Sequence, residues 1–261
     1  MTAESDFALA QISDAHLRVD DGGKSQRALE AAVRAVAALA PVPRALIVSG
    51  DLVDTGSREE YELARELLAS LAIPVHVVAG NHDDRDALAA HFGAPCADGG
   101  LVQYAGRIGP LRLVACDSVL PGRNEGSFGP DRRDWLDEVL AADPGTPTIV
   151  VMHHPPLMTG IHVVDELGLP PADVEALGEL IGRNPQVVRI LAGHMHRTII
   201  GSVARCGVFV CPSANLQLRL STAFSDRIVL IREPAGIGLH VVHGDELVSH
   251  VQPVGDYDVI E

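Results

Sequence analysis

The chain has 261 residues, 47% hydrophobic and 21% charged, an ordinary globular balance at a length that can bury a core without disulfide or structural-metal staples. Its 20 basic against 35 acidic residues give a net charge of −15, which argues against a surface built for general binding to nucleic acid or to anionic membranes. Twelve histidines beside so many carboxylates point instead toward bound cations.

The first six residues are acidic and lack the basic-then-apolar pattern of a leader, and no apolar run approaches the roughly 18 residues of a membrane span. A cytoplasmic protein is therefore expected. Short β-rich runs predict strands at 7–13, 45–49, 75–79, 111–116, 148–152 and 187–192. Between them, apolar residues at 28, 29, 32, 33, 36 and 39 predict a helix over 25–39. A second is expected over 57–71, opened by the capping box Ser57-Arg58-Glu59-Glu60, with shorter ones at 131–140 and 171–181. Strand alternating with helix means a layered α/β fold. After residue 200 the pattern changes to strands at 201–211, 226–232 and 236–251, read as a second, mostly antiparallel sheet packed on the first. Residues 1–261 thus read as one domain, with an α/β half (1–200) that carries every motif and a β-rich remainder (201–261). Cys96, Cys116, Cys206 and Cys211 show no C-x-x-C spacing and are expected as reduced thiols.

Polar clusters follow five of the predicted strands: Asp14-x-His16, Gly50-Asp51-Leu52-Val53-Asp54, Gly80-Asn81-His82-Asp83, His153-His154-Pro155 and Gly193-His194-Met195-His196. Each alone is ordinary turn chemistry. Together they can converge, because ligands in open α/β sheets bind outside the carboxyl ends of strands. In an extended segment residues i and i+2 point the same way, so Asp14 with His16, and His194 with His196, can each aim two donors into one cavity. Gly50, Gly80 and Gly193 stand where the backbone is expected to turn sharply beside a ligand. The inventory of two carboxylates, one amide and four imidazoles suffices for two cations and exceeds the needs of one. Mixed N/O ligation suits Mn, Fe, Zn or Co better than Ca or Mg. A G-x-S-x-G elbow, a P-loop and a G-x-G-x-x-G are all absent from the sequence.

In this order the motifs resemble those of the calcineurin-like metallophosphoesterases, and the texture around Asp117-Ser118 and His162 is closest to the branch of class III cyclic-nucleotide phosphodiesterases and glycerophosphodiesterases. The resemblance spans residues 14–196. It implies a four-layer α/β/β/α double-sheet sandwich and two metal ions. One would be held by Asp14, His16, Asp51 and His196, the other by Asp51, Asn81, His153 and His194, with Asp51 shared. His153 is the ligand of its pair by the family's His-x-Pro position, with His154 as the fallback. His82 would be the catalytic histidine, oriented by Asp54 through a hydrogen bond, and Asn81 and His82 would meet the substrate. The implied reaction is in-line hydrolysis of small phosphodiesters, cyclic nucleotides or glycerophosphodiesters, by a water shared between the ions. Charge counting favours a diester monoanion over a monoester dianion. A phosphomonoesterase or nuclease of the same fold, or a non-catalytic metal-holding binding module, remains the alternative. Cleft rims are expected at 84–101 and 121–130. His162, Ser213 and Asn215 are candidates to line the cleft, and Arg197 is expected to cap a strand. The tail at 236–251 could pair across a homo-oligomer interface.

Overall fold

Strands β1 (Phe7–Ile12), β2 (Ala45–Val48) and β3 (Val75–Val77) run parallel, interleaved with helices α1 (Lys24–Ala37), α2 (Arg58–Leu68) and α3 (Arg85–Phe92). A second sheet begins with β4 (Tyr104–Ile108) and β5 (Leu111–Cys116), and continues after α4 (Pro130–Ala141) with β6 (Thr148–Met152). The one-turn α5 (His162–Asp165) and α6 (Pro171–Gly182) lead to β7 (Val187–Ala192), β8 (Ile199–Val203) and β9 (Cys206–Val210). A separate ribbon of β10 (Gln217–Leu218) and β11 (Leu230–Ile231) follows, before β12 (Gly236–His243) and β13 (Glu246–Pro253). The strand orders are β13-β12-β1-β2-β3 and β4-β5-β6-β7-β9-β8. The structure is a computed structural model that describes residues 7–225, 227–243, 246–258 and 260; the first six residues and position 226, where a strand was expected to begin, lie outside it.

Alternation along the central strands explains why the sheets stack. Ala10, Ile12, Leu46 and Val48 face one way, into a core with Leu29, Ala64 and Leu88 of α1, α2 and α3. Phe7, Leu9, Ala45 and Ile47 face the other way and meet Leu113, Ile149, Val151 and Phe209 of the second sheet. That sheet sends Val150, Met152, Val208 and Val210 to its outer side, against Leu136 of α4 and Leu177 and Leu180 of α6. Three apolar layers between four structural layers give the expected α/β/β/α sandwich, each fully buried Leu or Ile contributing about 1.5–3 kcal/mol. Among the described residues, no helix is long and apolar enough to cross a membrane.

Apart from the two-stranded β10–β11 ribbon, the chain after residue 200 does not build a sheet of its own. β8 and β9 complete the second sheet, β9 lying parallel to β7, while β12 pairs antiparallel with β1 and extends the first. Periodicity shows that these residues are strands, but the partner is chosen by which distant sheet edge is open. The second sheet instead starts at β4, a strand missed because it mixes Gly and Arg with only one buried residue. Helix α3 was also missed, since Leu88 is its one buried residue. The two sheets are stitched where their parallel strands end: Gln11 Nε2 donates to the Ala192 carbonyl (3.0 Å), and the Ala214 amide, just past β9, to the Ser13 carbonyl just past β1 (2.9 Å).

Candidate metal centre

All five polar clusters meet at that shared carboxyl edge. Past the strands, the first two loops stay locked in register: Asp14 N donates to Gly50 O (3.1 Å), His16 N to Asp51 O (3.0 Å) and Asp54 N to Leu17 O (3.1 Å). Asp14, His16, Asp51, His194 and His196 all take left-handed backbone angles, φ between 44° and 69°. This conformation is uncommon for residues with a Cβ and costs on the order of 1–3 kcal/mol each. The i, i+2 pairs therefore converge through strained kinks rather than through the pleat of an extended segment. Of the three glycines, Gly50 alone needs its backbone freedom (φ 96°); at Gly80 and Gly193 a Cβ would collide with the Asp51 carboxylate and the Ser13 hydroxyl.

Four imidazoles share one design. His153 Nδ1 bonds the Ser49 carbonyl (2.9 Å), His196 Nδ1 the Leu216 carbonyl (2.8 Å), His194 Nε2 the Leu167 carbonyl (3.1 Å) and His16 Nδ1 the Asp54 carboxylate (2.9 Å). Carbonyl and carboxylate oxygens only accept, so each outer nitrogen carries a proton, and in the neutral ring each inner nitrogen presents a lone pair. These inner atoms face one another and further acceptors. His16 Nε2 lies 3.0 Å from His196 Nε2, His153 Nε2 lies 3.1 Å from Asn81 Oδ1 and 3.3 Å from Asp51 Oδ2, and His194 Nδ1 lies 3.1 Å from Asn81 Oδ1. Such inner acceptors repel one another unless protons or metal cations stand between them, and the mixed imidazole, carboxylate and amide donor set fits metal ions, with the outer bonds fixing ring orientation. The sets Asp14, His16, His196 and Asp14, Asp51, His153 each bring their donor atoms within 4.8 Å. Asp51 Oδ2 stands 3.5 Å from His16 and 3.3 Å from His153, between the two foci.

Electrostatics follow the same geometry. Burial pushes the Asp51 carboxyl upward, but His153, His16 and His82 outweigh it and hold the group well below the usual carboxylate range. Burial lowers His153, yet Asp51 and then Asp14 lift it to about 9, so their negative charge draws a cation to its inner nitrogen, a proton that a bound metal ion would displace. His194 and His196 are pushed down, chiefly by burial, into the neutral form that binds metal.

The neighbour His154 is arranged differently. Its Nε2–H bonds the Asn124 carbonyl (3.1 Å) and its Nδ1 takes the Ser118 hydroxyl (2.8 Å), so no lone pair reaches the cluster. Burial, then the adjacent His153, lowers it to about 3. Asp54 meets His82 by a hydrogen bond, as expected, but through its backbone: the Asp54 carbonyl accepts from His82 Nδ1 (2.9 Å), while its carboxylate, 3.4 Å from the same nitrogen, holds His16 and Arg18 (both 2.9 Å). His82 is edge-on to His16 at 4.6 Å and leaves Nε2 toward the cleft.

Two contributors carried no role in the sequence reading. Asp83 lies beneath the site, accepting from Gly80 N (2.9 Å), Leu52 N (3.3 Å), Val53 N (3.4 Å) and Tyr61 OH (3.0 Å), and so ties the Asp51 and Asn81 loops together. Burial and the nearby Asp51 charge raise it to about 6. Its place in Gly80-Asn81-His82-Asp83 was the available signal. Asn124 stands on the rim, its Oδ1 3.5 Å from Asn81 Nδ2.

The cleft over the cluster has a volume of about 400 Å3. Asn124, from the expected rim at 121–130, and Asn215 line it, whereas no residue of 84–101 does, because α3 turns Leu88 into the core. His162 lies in an adjoining hollow, Ser213 supports Asp14 through its backbone carbonyl (2.7 Å), and Arg197 binds Glu233 (2.8 Å) and the Leu218 carbonyl as a structural clasp.

Two stacked sheets whose strand ends jointly carry imidazoles and carboxylates for paired cations define an α/β/β/α protein with a metal-binding crest. Residues 7–198 match the profile of the calcineurin-like phosphoesterases, and the chain belongs to that family. It is 35% identical over 218 residues to a probable cyclic nucleotide phosphodiesterase of Synechococcus sp., covering 81% of this chain and 82% of that one. To a probable glycerophosphodiester phosphodiesterase of Arcobacter nitrofigilis it is 27% identical over 260 residues, covering 96% and 94%. The purple acid phosphatase of yellow lupin shares the fold with a TM-score of 0.73 at 15% identity, over 98% of this chain and 53% of that one, so the chain spans about half of its length.

Proposed function

We propose that the chain is a two-metal phosphodiesterase that hydrolyses small phosphodiesters. The observation that carries this reading is the set of four imidazoles, each tethered through its outer nitrogen and turning its inner nitrogen toward Asp14, Asp51 and Asn81. Asp14, His16, Asp51 and His196 would hold one ion, and Asp51, Asn81, His153 and His194 the other. When bound, two such ions, of Mn, Fe, Zn or Co, supply an activated water and neutralise charge on the phosphate oxygens. The chain's own residues do the rest. Asp54 orients His16 with its carboxylate and His82 with its carbonyl. His82 Nε2 is placed to bond a phosphate oxygen or to hand a proton to the leaving alkoxide. Asn81 adds an amide on the substrate side. The names of the two relatives, a cyclic nucleotide and a glycerophosphodiester phosphodiesterase, support diesters over monoesters. The four free cysteines, three of them buried, suit a reducing cytoplasm, and the pairing of β1 with β12 supports reading residues 1–261 as one domain. The exposed outer strand β13 is where a homo-oligomer would pair.

The test is turnover of bis(4-nitrophenyl) phosphate and of 4-nitrophenyl phosphate by chelator-stripped protein, before and after Mn(II) is added. Cleavage restored by metal and faster on the diester supports the reading. Metal-independent cleavage, or preference for the monoester, contradicts it.

A further inference from the structure

The cleft has two unlike sides. One side is polar, lined by Arg18, Asp21 and Asp54 from the loops of the first sheet and by Asn124 from the loop after β5. The other is walled by Val164, Leu167, Leu216, Leu218, Ile228 and Leu230. This wall is continuous with the metal cluster, because the Leu167 carbonyl holds His194 Nε2, the Leu216 carbonyl holds His196 Nδ1 and the Leu218 amide donates to the His196 carbonyl (3.0 Å). The β10–β11 register sets Leu218 directly opposite Leu230, placing both on one face of the ribbon. Four of the twelve exposed large hydrophobics among the described residues, Leu220, Phe224, Ile228 and Leu230, lie on this one excursion of the chain. Ile228 and Leu230 remain 50% and 46% exposed while lining the cleft mouth. An aliphatic surface left open beside a charged centre marks a place for apolar ligand surface.

Building on the diesterase reading, we infer that Ile228 and Leu230 determine specificity, selecting phosphodiesters in which one alcohol carries an apolar ring face, such as an aryl group or a nucleoside, over diesters of small hydrophilic alcohols. With phosphorus over the inner lone pairs of His153, His194 and His196, the ring-bearing arm lies along the ribbon and the other arm faces the polar rim.

The test compares kcat/KM for bis(4-nitrophenyl) phosphate with that for glycerophosphocholine in the Mn(II)-loaded full chain. Ile228→Ser and Leu230→Ser are each expected to lower the aryl-to-glycerol ratio about tenfold, mainly through KM, since a few methylenes in a hydrophobic pocket are worth roughly 10–200-fold. Ile228→Val should retain most of the ratio. Ile200→Ser, which alters a 77% exposed side chain outside the cleft, should leave it unchanged. An unaltered ratio in both serine variants, or equal losses on the two substrates, overturns the inference while leaving the diesterase reading intact. Failure of the unsubstituted protein to cleave either diester would overturn both.

Discussion

The floor of the cleft and its apolar wall are built by opposite means. The floor is buried and over-determined: Asp14 and His153 are fully covered, five of its residues hold left-handed backbone angles, and four rings are pinned from behind. Such strain persists only where the surrounding structure enforces it, and here the stacked cores of both sheets do so. The outer part of the wall comes from a short ribbon outside both large sheets, where the Ile228 and Leu230 side chains stand half in solvent. The floor fixes the chemistry with geometry that tolerates little change, while the Ile228 and Leu230 side chains of the wall can vary without touching the carbonyls that hold His194 and His196.

That contrast breaks most severely at the shared carboxylate. Asp51→Ala should bring activity to background and weaken both metal sites, seen as loss of bound metal by elemental analysis; full activity would refute its bridging place. His82→Ala should keep the metal content and lower kcat by about 10²–10⁴, the usual reach of a general acid or base. Loss of metal in that variant would make His82 a ligand instead. Next comes the pair of neighbours: His153→Ala should lose one ion, whereas His154→Ala should retain two, because both nitrogens of His154 are already engaged. Asp54→Ala should cost about 10–100-fold in metal affinity or activity, the usual weight of a group that orients a ligand.

The smallest effect lies away from the cleft. His240 is buried between Ser249 Oγ (2.8 Å) and Gln11 Oε1 (3.0 Å), and burial, then Arg189, lowers it to about 3. Its folded-state pKa is below that of the unfolded chain, so the unfolded state takes up the proton first. Stability is therefore full above about pH 6.5 and falls toward pH 3, by up to about 1.4 kcal/mol per pH unit from this group. His240→Asn should flatten the pH dependence of the urea midpoint between pH 7 and 5; an unchanged slope would show that His240 does not contribute.

The floor was legible because its donors are rare residue types at fixed places after β-rich runs, and Asp14, His16, Asp51, Asn81, His153, His194 and His196 all arrive at one edge. Helices α1, α2, α4 and α6 were legible from apolar spacing, the Ser57–Glu60 capping box or an initiating proline. The partner of β12 was not, since strand pairing over more than 200 residues, as between Phe7 and Val242, leaves no local trace, and neither was the parallel pairing of β9 with β7 past the intervening β8. Nor was the wall, because Leu216, Leu218, Ile228 and Leu230 read as any apolar residues until the ribbon places them beside His196. Asp83 and Asp54 were visible as residues, but which atom of each does the holding is a fact of geometry.

The most direct test of the central claim is a Mn(II) titration of the stripped chain followed by low-temperature electron paramagnetic resonance. The account predicts two ions per chain with the spectrum of an exchange-coupled pair, the coupling disappearing in Asp51→Ala. One ion per chain, or two with uncoupled six-line spectra, would contradict a centre built around a shared Asp51.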